Sequence, residues 1–385
     1  MSVTASKGFL AAGIAAGIKD SGALDLALVV NQGPSQVAAG VFTRNQVKAA
    51  PVLWSAQVLA GRRLRAVVLN SGGANACTGS GGFQDTHATA EQVAKVLDCG
   101  AIEVAVCSTG LIGERLPLNA VLTGVDTAAA ALAATPEAGL AAATAVLTTD
   151  TVPKQATLSG AGWTVGGFAK GAGMTAPSLA TMLCVLTTDA MVDQSTLDAA
   201  LRGATSATFE RLDIDGGCST NDTVLLLASG VSEIRPDEEE FAGAVRQVSH
   251  ELVNSLRADA EGVTKEVSIT VRGAISEADA LAAARAVARD NLVKTAFFGS
   301  DPNWGRIAAA IGASPARVHA DELDIWLNGV LLCRHGAMAA DRSTADLSGR
   351  KITVEIDLHL GAGEVTVLTT DLSHAYVEEN SAYSS

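Results

Sequence analysis

Short apolar runs broken by glycine turns fill the first 190 residues, and longer amphipathic stretches follow. Residues 24–30 (LDLALVV), 38–43 (AAGVFT), 64–79 (LRAVVLNSGGANACTG) and 102–113 (IEVAVCSTGLIG) read as buried strands, the last two running into glycine-rich turns. Apolar spacing makes 85–97 a helix with Asp85 or Thr86 as the candidate cap. Residues 117–146 are alanine-rich and helical, with a break near Thr135-Pro136. Residues 163–174 (WTVGGFAKGAGM) form a strand ending in a glycine loop, and 193–212 a further helix. Residues 237–262 make a long amphipathic helix whose acidic first turn suits its dipole. Beyond it, 265–274 alternates as a half-exposed strand, 277–293 is helical, and 323–333, 351–361 and 363–372 are strand-like. Mixed elements with long antiparallel pairs near the end predict α/β (α+β) layers. The composition shift at IRPDEEE places a boundary near 235–240. Thr-Thr-Asp recurs at 148–150, 187–189 and 369–371, too irregularly for a structural repeat.

The 385 residues, 48% of them hydrophobic, can bury a large core divided between two or more domains. Only 4% are aromatic, so that core must be built from Ala, Val, Leu and Ile, and 38 glycines imply many tight turns. The net charge of −14 and the absence of a basic run beyond GRRLR (61–65) argue against a nucleic-acid partner. Cys77, Cys99, Cys107, Cys184, Cys218 and Cys333 form no CxxC pair and read as reduced, buried thiols of a cytosolic protein. The N-terminal GFLAAGIAAGIK is signal-like in its apolar middle, but it is glycine-rich and ends at Lys19-Asp20, which disfavours export. No apolar run approaches the roughly 20 residues that span a bilayer.

One stretch carries the chemistry: KGAGMTAPSLATML, from Lys170 to Leu183. Three readings compete for it. Residues 171–176 satisfy GxGxxA after a strand, the outline of a dinucleotide loop, with Asp189 or Asp193 as the partner acid. Thr181 can instead be an ordinary buried threonine bonded to backbone. Or Thr181 is a nucleophile that frees itself. Its hydroxyl attacks the Ala180 carbonyl in an N→O acyl shift, small Ala180 leaves that carbonyl open, and the glycines permit the strained geometry. The freed α-amine, with an ordinary pKa of about 7.7–8.0, then serves as the base without a histidine. No GxSxG, HExxH or Walker loop offers another route.

KGAGMTAPSLATML resembles the signature of the ornithine acetyltransferase (glutamate N-acetyltransferase) family of arginine biosynthesis. So do AGVFTRNQVKAAPV (39–52), NSGGANACTG (70–79), CSTGLIG (107–113), TTDTVPK (148–154), STNDT (219–223), DAEGVTK (259–265), VKTAFFGSDPNWGR (293–306) and ENSAYSS (379–385). The likeness covers nearly the whole chain. One departure is Thr175, where the family usually has a bulky aliphatic residue.

The resemblance implies an α/β/β/α sandwich of the N-terminal-nucleophile type with a smaller α/β domain. The expected domains are 1–240 and 241–372, with a tail, 373–385, returning to the site. Scission between Ala180 and Thr181 would give chains 1–180 and 181–385, assembled as α2β2 or larger. It also implies a ping-pong transfer of acetyl from N-acetylornithine to glutamate through Thr181, with Thr109 and Gly110 stabilising the oxyanion. Substrate would be held by Thr148, Lys170, Thr181, Glu261, Asn380 and Ser385. Neither cofactor nor metal is implied, and acetyl-CoA is admitted as a second acetyl donor. Cys107, a rival nucleophile, lies in an apolar strand. An N-terminal-nucleophile aminopeptidase and a nucleotide-binding regulator remain as alternatives.

Two further clusters invite a ligand. Asp213, Asp215 and Asp222 fail the spacing of a calcium loop and read as a structural turn. Trp304 and Arg306 of DPNWGR could meet an anion or simply pack.

Overall fold

The structure, a computed structural model, describes residues 2–174 and 182–382. These divide into two compact units, 2–210 with 218–256, and 211–217 with 257–382. The division falls near the C-terminal end of the long helix, whereas the composition shift places it ahead of that helix. Residues 373–382 belong with the second unit.

The first unit contains β1 (Phe9–Ile14), β2 (Leu26–Asn31), β3 (Val37–Phe42), β4 (Ala66–Asn70), β5 (Val104–Ser108), β6 (Lys154–Ser159), β7 (Thr164–Lys170), β8 (Leu183–Thr188) and β9 (Thr223–Ala228). Its helices are α1 (Ala50–Val58), α2 (Gly79–Leu97), α3 (Leu118–Ala130), α4 (Pro136–Ala145), α5 (Gln194–Ala207) and α6 (Glu238–Ala258). One sheet runs β1-β2-β4-β5 and the other β3-β9-β8-β7-β6. A shared core joins them: Leu28, Val30, Val67 and Val106 pack in the same cluster as Phe168, Leu183, Val185, Leu225 and Leu227. Every residue of β8 and β9 is buried. Leu183 and Val185 enter that core, and the alternate side chains lie on the opposite face, where α5 packs on β9. Each such buried Leu or Val stabilises the fold by about 1.5–3 kcal/mol.

The apolar N-terminal run is strand β1, paired antiparallel with β2 from Phe9↔Asn31 to Ile14↔Leu26. Helix α2 starts six residues before the expected position. Asp85 therefore lies inside it, and its carboxylate takes a two-pronged Arg115 guanidinium (2.7 and 2.5 Å) where a cap was expected. Among the described residues no helix is long and apolar enough to cross a membrane.

The second unit contains β10 (Glu266–Ala274), α7 (Glu277–Arg289), α8 (Asn291–Phe298), α9 (Trp304–Gly312), β11 (Asp324–Leu327), β12 (Val330–Arg334), β13 (Ala337–Met338), β14 (Lys351–Asp357), β15 (Gly363–Thr370) and α10 (His374–Ala382). Its sheet runs β13-β12-β11-β14-β10-β15. The inward residues of β10 and β14, Val267, Ile269, Val271, Ile352, Val354 and Ile356, meet Ala283, Ala284 and Val287 of α7 in one core. The single helix expected over 277–293 is two, because the Asp290 side chain accepts from Val293 N–H and caps α8. The single strand expected over 323–333 is a hairpin turned by Asn328 (φ 46°) and Gly329 (φ 79°).

Candidate active site

Strands β7 and β8 pair antiparallel with Lys170 opposite Leu183, so the chain leaves the sheet at 170 and returns beside it. Strand β8 also pairs parallel with β9, Leu183 opposite Thr223. Met182 is fixed by both neighbours of that pair: its carbonyl accepts from Thr223 N–H (3.0 Å), and its N–H donates to Asp222 Oδ1 (3.0 Å). This register sets Lys170, Met182 and Asp222 at one end of the five-stranded sheet. Ala180 and Thr181 of the expected cleavage, and Thr175 of the signature loop, lie outside the described residues.

Lys170 is 1% exposed. Its Nζ donates to Thr148 Oγ1 (2.8 Å) and Thr109 Oγ1 (3.3 Å), and lies 3.7 Å from Asp150 Oδ2. Three of the residues expected to hold substrate or stabilise charge therefore meet at one ammonium. Asp150, which the reading of the sequence did not single out, organises the group. Its Oδ1 accepts from Lys154 Nζ (2.6 Å) and Gly171 N–H (2.6 Å), and its Oδ2 from Thr148 N–H (3.2 Å). Burial pushes this carboxyl up, but Lys170, Lys154 and the Gly171 N–H outweigh it and hold it at about 2. Asp150 stands in the quoted TTDTVPK run, four residues before Lys154. That spacing was the available signal.

Thr109 and Gly110 follow β5. Gly110 has φ +128°, and a Cβ there would lie 2.6 Å from Gly72 C and Gly73 N, so only glycine fits. Thr109 N–H is committed to Asn70 O (3.0 Å), which leaves the Thr109 hydroxyl and the Gly110 N–H as the donors this turn offers. Asn221, also absent from the expected set, ties the neighbouring strands together. Its Nδ2 donates to Ala74 O (2.6 Å) and Ser108 O (2.8 Å). Thr109, Gly110, Met174, Ser219, Thr220 and Asn221 line a cavity of about 30 Å³, room for one water.

Glu261 and Asn380 lie in the second unit, where Asn380 Nδ2 donates to Glu261 Oε2 (2.7 Å). Tyr376, one turn earlier on α10, donates its hydroxyl to Asp215 Oδ2 (3.3 Å). Ser385 lies outside the described residues.

Several other readings resolve in the structure. A dinucleotide loop belongs between parallel strands, whereas β7 and β8 pair antiparallel; residues 175 and 176 of that motif lie outside the described residues. Asp189, its candidate acid, accepts from Lys7 N–H and Thr164 N–H, while Asp193 caps α5. Asp213 pairs with Arg289 (2.7 Å), Asp215 meets Tyr376 and Asp222 holds Met182, so the three acids serve different neighbours. Among the described residues no group of three His, Cys, Asp or Glu side chains could hold a metal ion. Arg306 donates to Leu292 O (2.7 Å), and Trp304 packs on the second unit's core. Cys107 is buried and its thiol is pushed up by that burial to about 12, a poor nucleophile at neutral pH.

A family model, the ArgJ family, matches residues 10–385. The chain is 63% identical over 389 residues to the "Arginine biosynthesis bifunctional protein ArgJ" of Mycolicibacterium paratuberculosis, covering 100% of this chain and 96% of that protein. It is 58% identical over 385 residues to the protein of the same name from Streptomyces avermitilis, covering both completely. Among solved structures, ornithine acetyltransferase complexed with ornithine from Mycobacterium tuberculosis matches with 65% identity over 46% of this chain and 94% of that one (TM-score 0.45). The ArgJ protein of Bacillus halodurans matches with 33% identity over 51% and 97% (TM-score 0.49).

Proposed function

This chain belongs to the ArgJ family, acetyltransferases of arginine biosynthesis, and from that membership we propose how its residues carry the transfer of acetyl from N-acetylornithine to glutamate. Thr181 Oγ first attacks the Ala180 carbonyl carbon. The peptide C–N bond breaks, its nitrogen takes the hydroxyl proton, and water hydrolyses the resulting ester. The mature Thr181 then carries a hydroxyl and an α-amine. The amine removes the hydroxyl proton as Oγ attacks the acetyl carbon of N-acetylornithine. That proton passes to the departing ornithine nitrogen, leaving acetyl on Oγ. The glutamate amine attacks the ester and restores the enzyme.

The Thr109 hydroxyl and the Gly110 N–H stabilise the oxyanion in each half-reaction. Lys170, beside Thr148, meets the α-carboxylate that both amino acids share. The mature enzyme assembles from both fragments as α2β2 or larger and works in the cytoplasm without a cofactor. Acetyl-CoA serves as a second donor in the same ping-pong cycle.

The observation that carries this reading is the Lys170 ammonium, buried between Thr148 and Thr109 at the sheet end where the chain resumes at Met182. Intact mass spectrometry of the wild type beside Thr181→Ala tests it. Two fragments that transfer acetyl to glutamate are expected from the first, and one inactive full-length species from the second. A full-length wild type that is active would overturn the mechanism, and release of acetyl to water in place of glutamate would favour an amidase.

A further inference from the structure

Asn221 joins the two sheets of the first unit. It precedes β9 of the five-stranded sheet, yet both protons of its buried carboxamide go to backbone carbonyls of the other sheet's strand ends. One reaches Ala74 O (2.6 Å) in the loop after β4, and one reaches Ser108 O (2.8 Å) at the end of β5. Carbonyls only accept, so the nitrogen must face them. The Oδ1 on the other side accepts from the Thr220 hydroxyl. The backbone of Asn221 is fixed as well: its N–H donates to Ser219 Oγ (3.1 Å) and its carbonyl accepts from Thr223 Oγ1 (3.0 Å).

The two carbonyls flank the Thr109–Gly110 turn. Ser108 O belongs to the same peptide unit as Thr109 N–H, which donates to Asn70 O (3.0 Å). That unit is therefore held at both ends, by β4 and by Asn221. Ala74 lies in the loop on which the turn rests. Its N–H donates to Leu111 O (2.8 Å), and the turn touches the loop so closely that a Cβ on Gly110 would lie 2.6 Å from Gly73 N. One side chain thus grips the chain before the turn and the loop beneath it. Two residues further on, Thr223 donates its N–H to Met182 O and pairs with Leu183.

We propose that Asn221 is a positioning residue for acetyl transfer. It registers the Thr109–Gly110 donors, which extend from the four-stranded sheet, against the start of β8 in the five-stranded sheet. The inference rests on the oxyanion reading of that turn above. Donors stabilise a developing charge only when their distance is fixed beforehand, and a displacement of about 1 Å costs about 100-fold. A carboxamide suits the task because a single nitrogen with two protons serves two converging carbonyls. Aspartate would set oxygen against oxygen, and leucine would leave both carbonyls unmet.

Asn221→Leu keeps the volume and removes both donors. Its kcat, per folded and cleaved molecule, should fall about tenfold or more, with KM for N-acetylornithine and glutamate within about twofold. A merely structural tie would lower the melting temperature and the folded fraction and leave that kcat unchanged. Thr109→Val supplies the second arm. If Asn221 works through the turn, the double variant should retain about fivefold more kcat than the product of the single losses. Should Asn221→Leu fail to fold, Asn221→Ser, which keeps one donor, is judged by the same two criteria. Wild-type kcat in the folded Asn221 variant, or losses that simply multiply, beside an impaired Thr109→Val would overturn the inference and leave the oxyanion reading intact. Wild-type kcat in Thr109→Val would remove that reading, and the inference with it.

Discussion

Replacing Asp150 by Asn should destabilise the first unit more than any other isosteric change at the site. The carboxylate serves Lys154 Nζ at 2.6 Å, Lys170 Nζ at 3.7 Å, and the N–H groups of Gly171 and Thr148. Both lysine side chains are 1% exposed. The variant deprives two buried ammonium groups of the carboxylate they share, and breaking a buried pair in this way costs about 3–5 kcal/mol. A second route gives a similar scale. The acid falls from 3.8 to about 2 on folding, which at about 1.4 kcal/mol per pKa unit contributes roughly 2–3 kcal/mol. Because the folded value is depressed, that contribution is present above pH 3.8 and disappears as pH falls through about 2. Urea unfolding of wild type and Asp150→Asn should therefore differ by about 3–5 kcal/mol at pH 7, and the gap should narrow as the pH is lowered from about 4 toward 2. Asp150→Asn/Lys154→Met should recover part of the loss, since one stranded cation is gone. Curves that coincide within about 1 kcal/mol at pH 7 would refute the shared-counter-ion argument.

Other perturbations report on other parts of the site. If Lys170 meets the substrate carboxylate as proposed, Lys170→Met should raise KM for both N-acetylornithine and glutamate by about tenfold or more, measured by steady-state kinetics. Gly110→Ala places a Cβ against the Gly72 and Gly73 backbone and, if Gly110 N–H is the oxyanion donor proposed above, should cost about 100-fold in kcat. An alkylating reagent under native conditions should modify exposed Cys77 first and leave buried Cys107, Cys184 and Cys333 untouched until the protein unfolds, as peptide mapping would show.

Periodicity located most of the long elements because their burial is one-sided. Helices α5 and α7 bury every third or fourth residue, and β10 alternates buried and half-buried positions. It failed where burial is two-sided or the element is short. Strand β9, TVLLLA, is buried throughout and shows no alternation, and α1 and α9 span nine residues each. The chain breaks at Asp290 and Asn328-Gly329 depend on one capping side chain and one left-handed turn, both visible in the sequence but easily overrun by the apolar pattern around them. Lys170, Thr148 and Thr109 could be named from motif likeness, yet nothing in their spacing of 22 and 61 residues says that they meet. Strand order makes that juxtaposition, and the same order brings in Asp150 and Asn221, which the reading of the sequence did not single out.

A cut before residue 181 would turn the start of β8 into a chain end, and chain ends ordinarily fray. This one is held from its second residue onward. Met182 is bonded through both its N–H and its carbonyl, and Leu183 pairs with Lys170 on one side and Thr223 on the other. Strand β8 is interior to its sheet and covered on both faces, so fraying it would expose Leu183, Val185 and the ladders on either side together. Scission before residue 181 would therefore leave Met182 and the strand that follows it anchored on both sides.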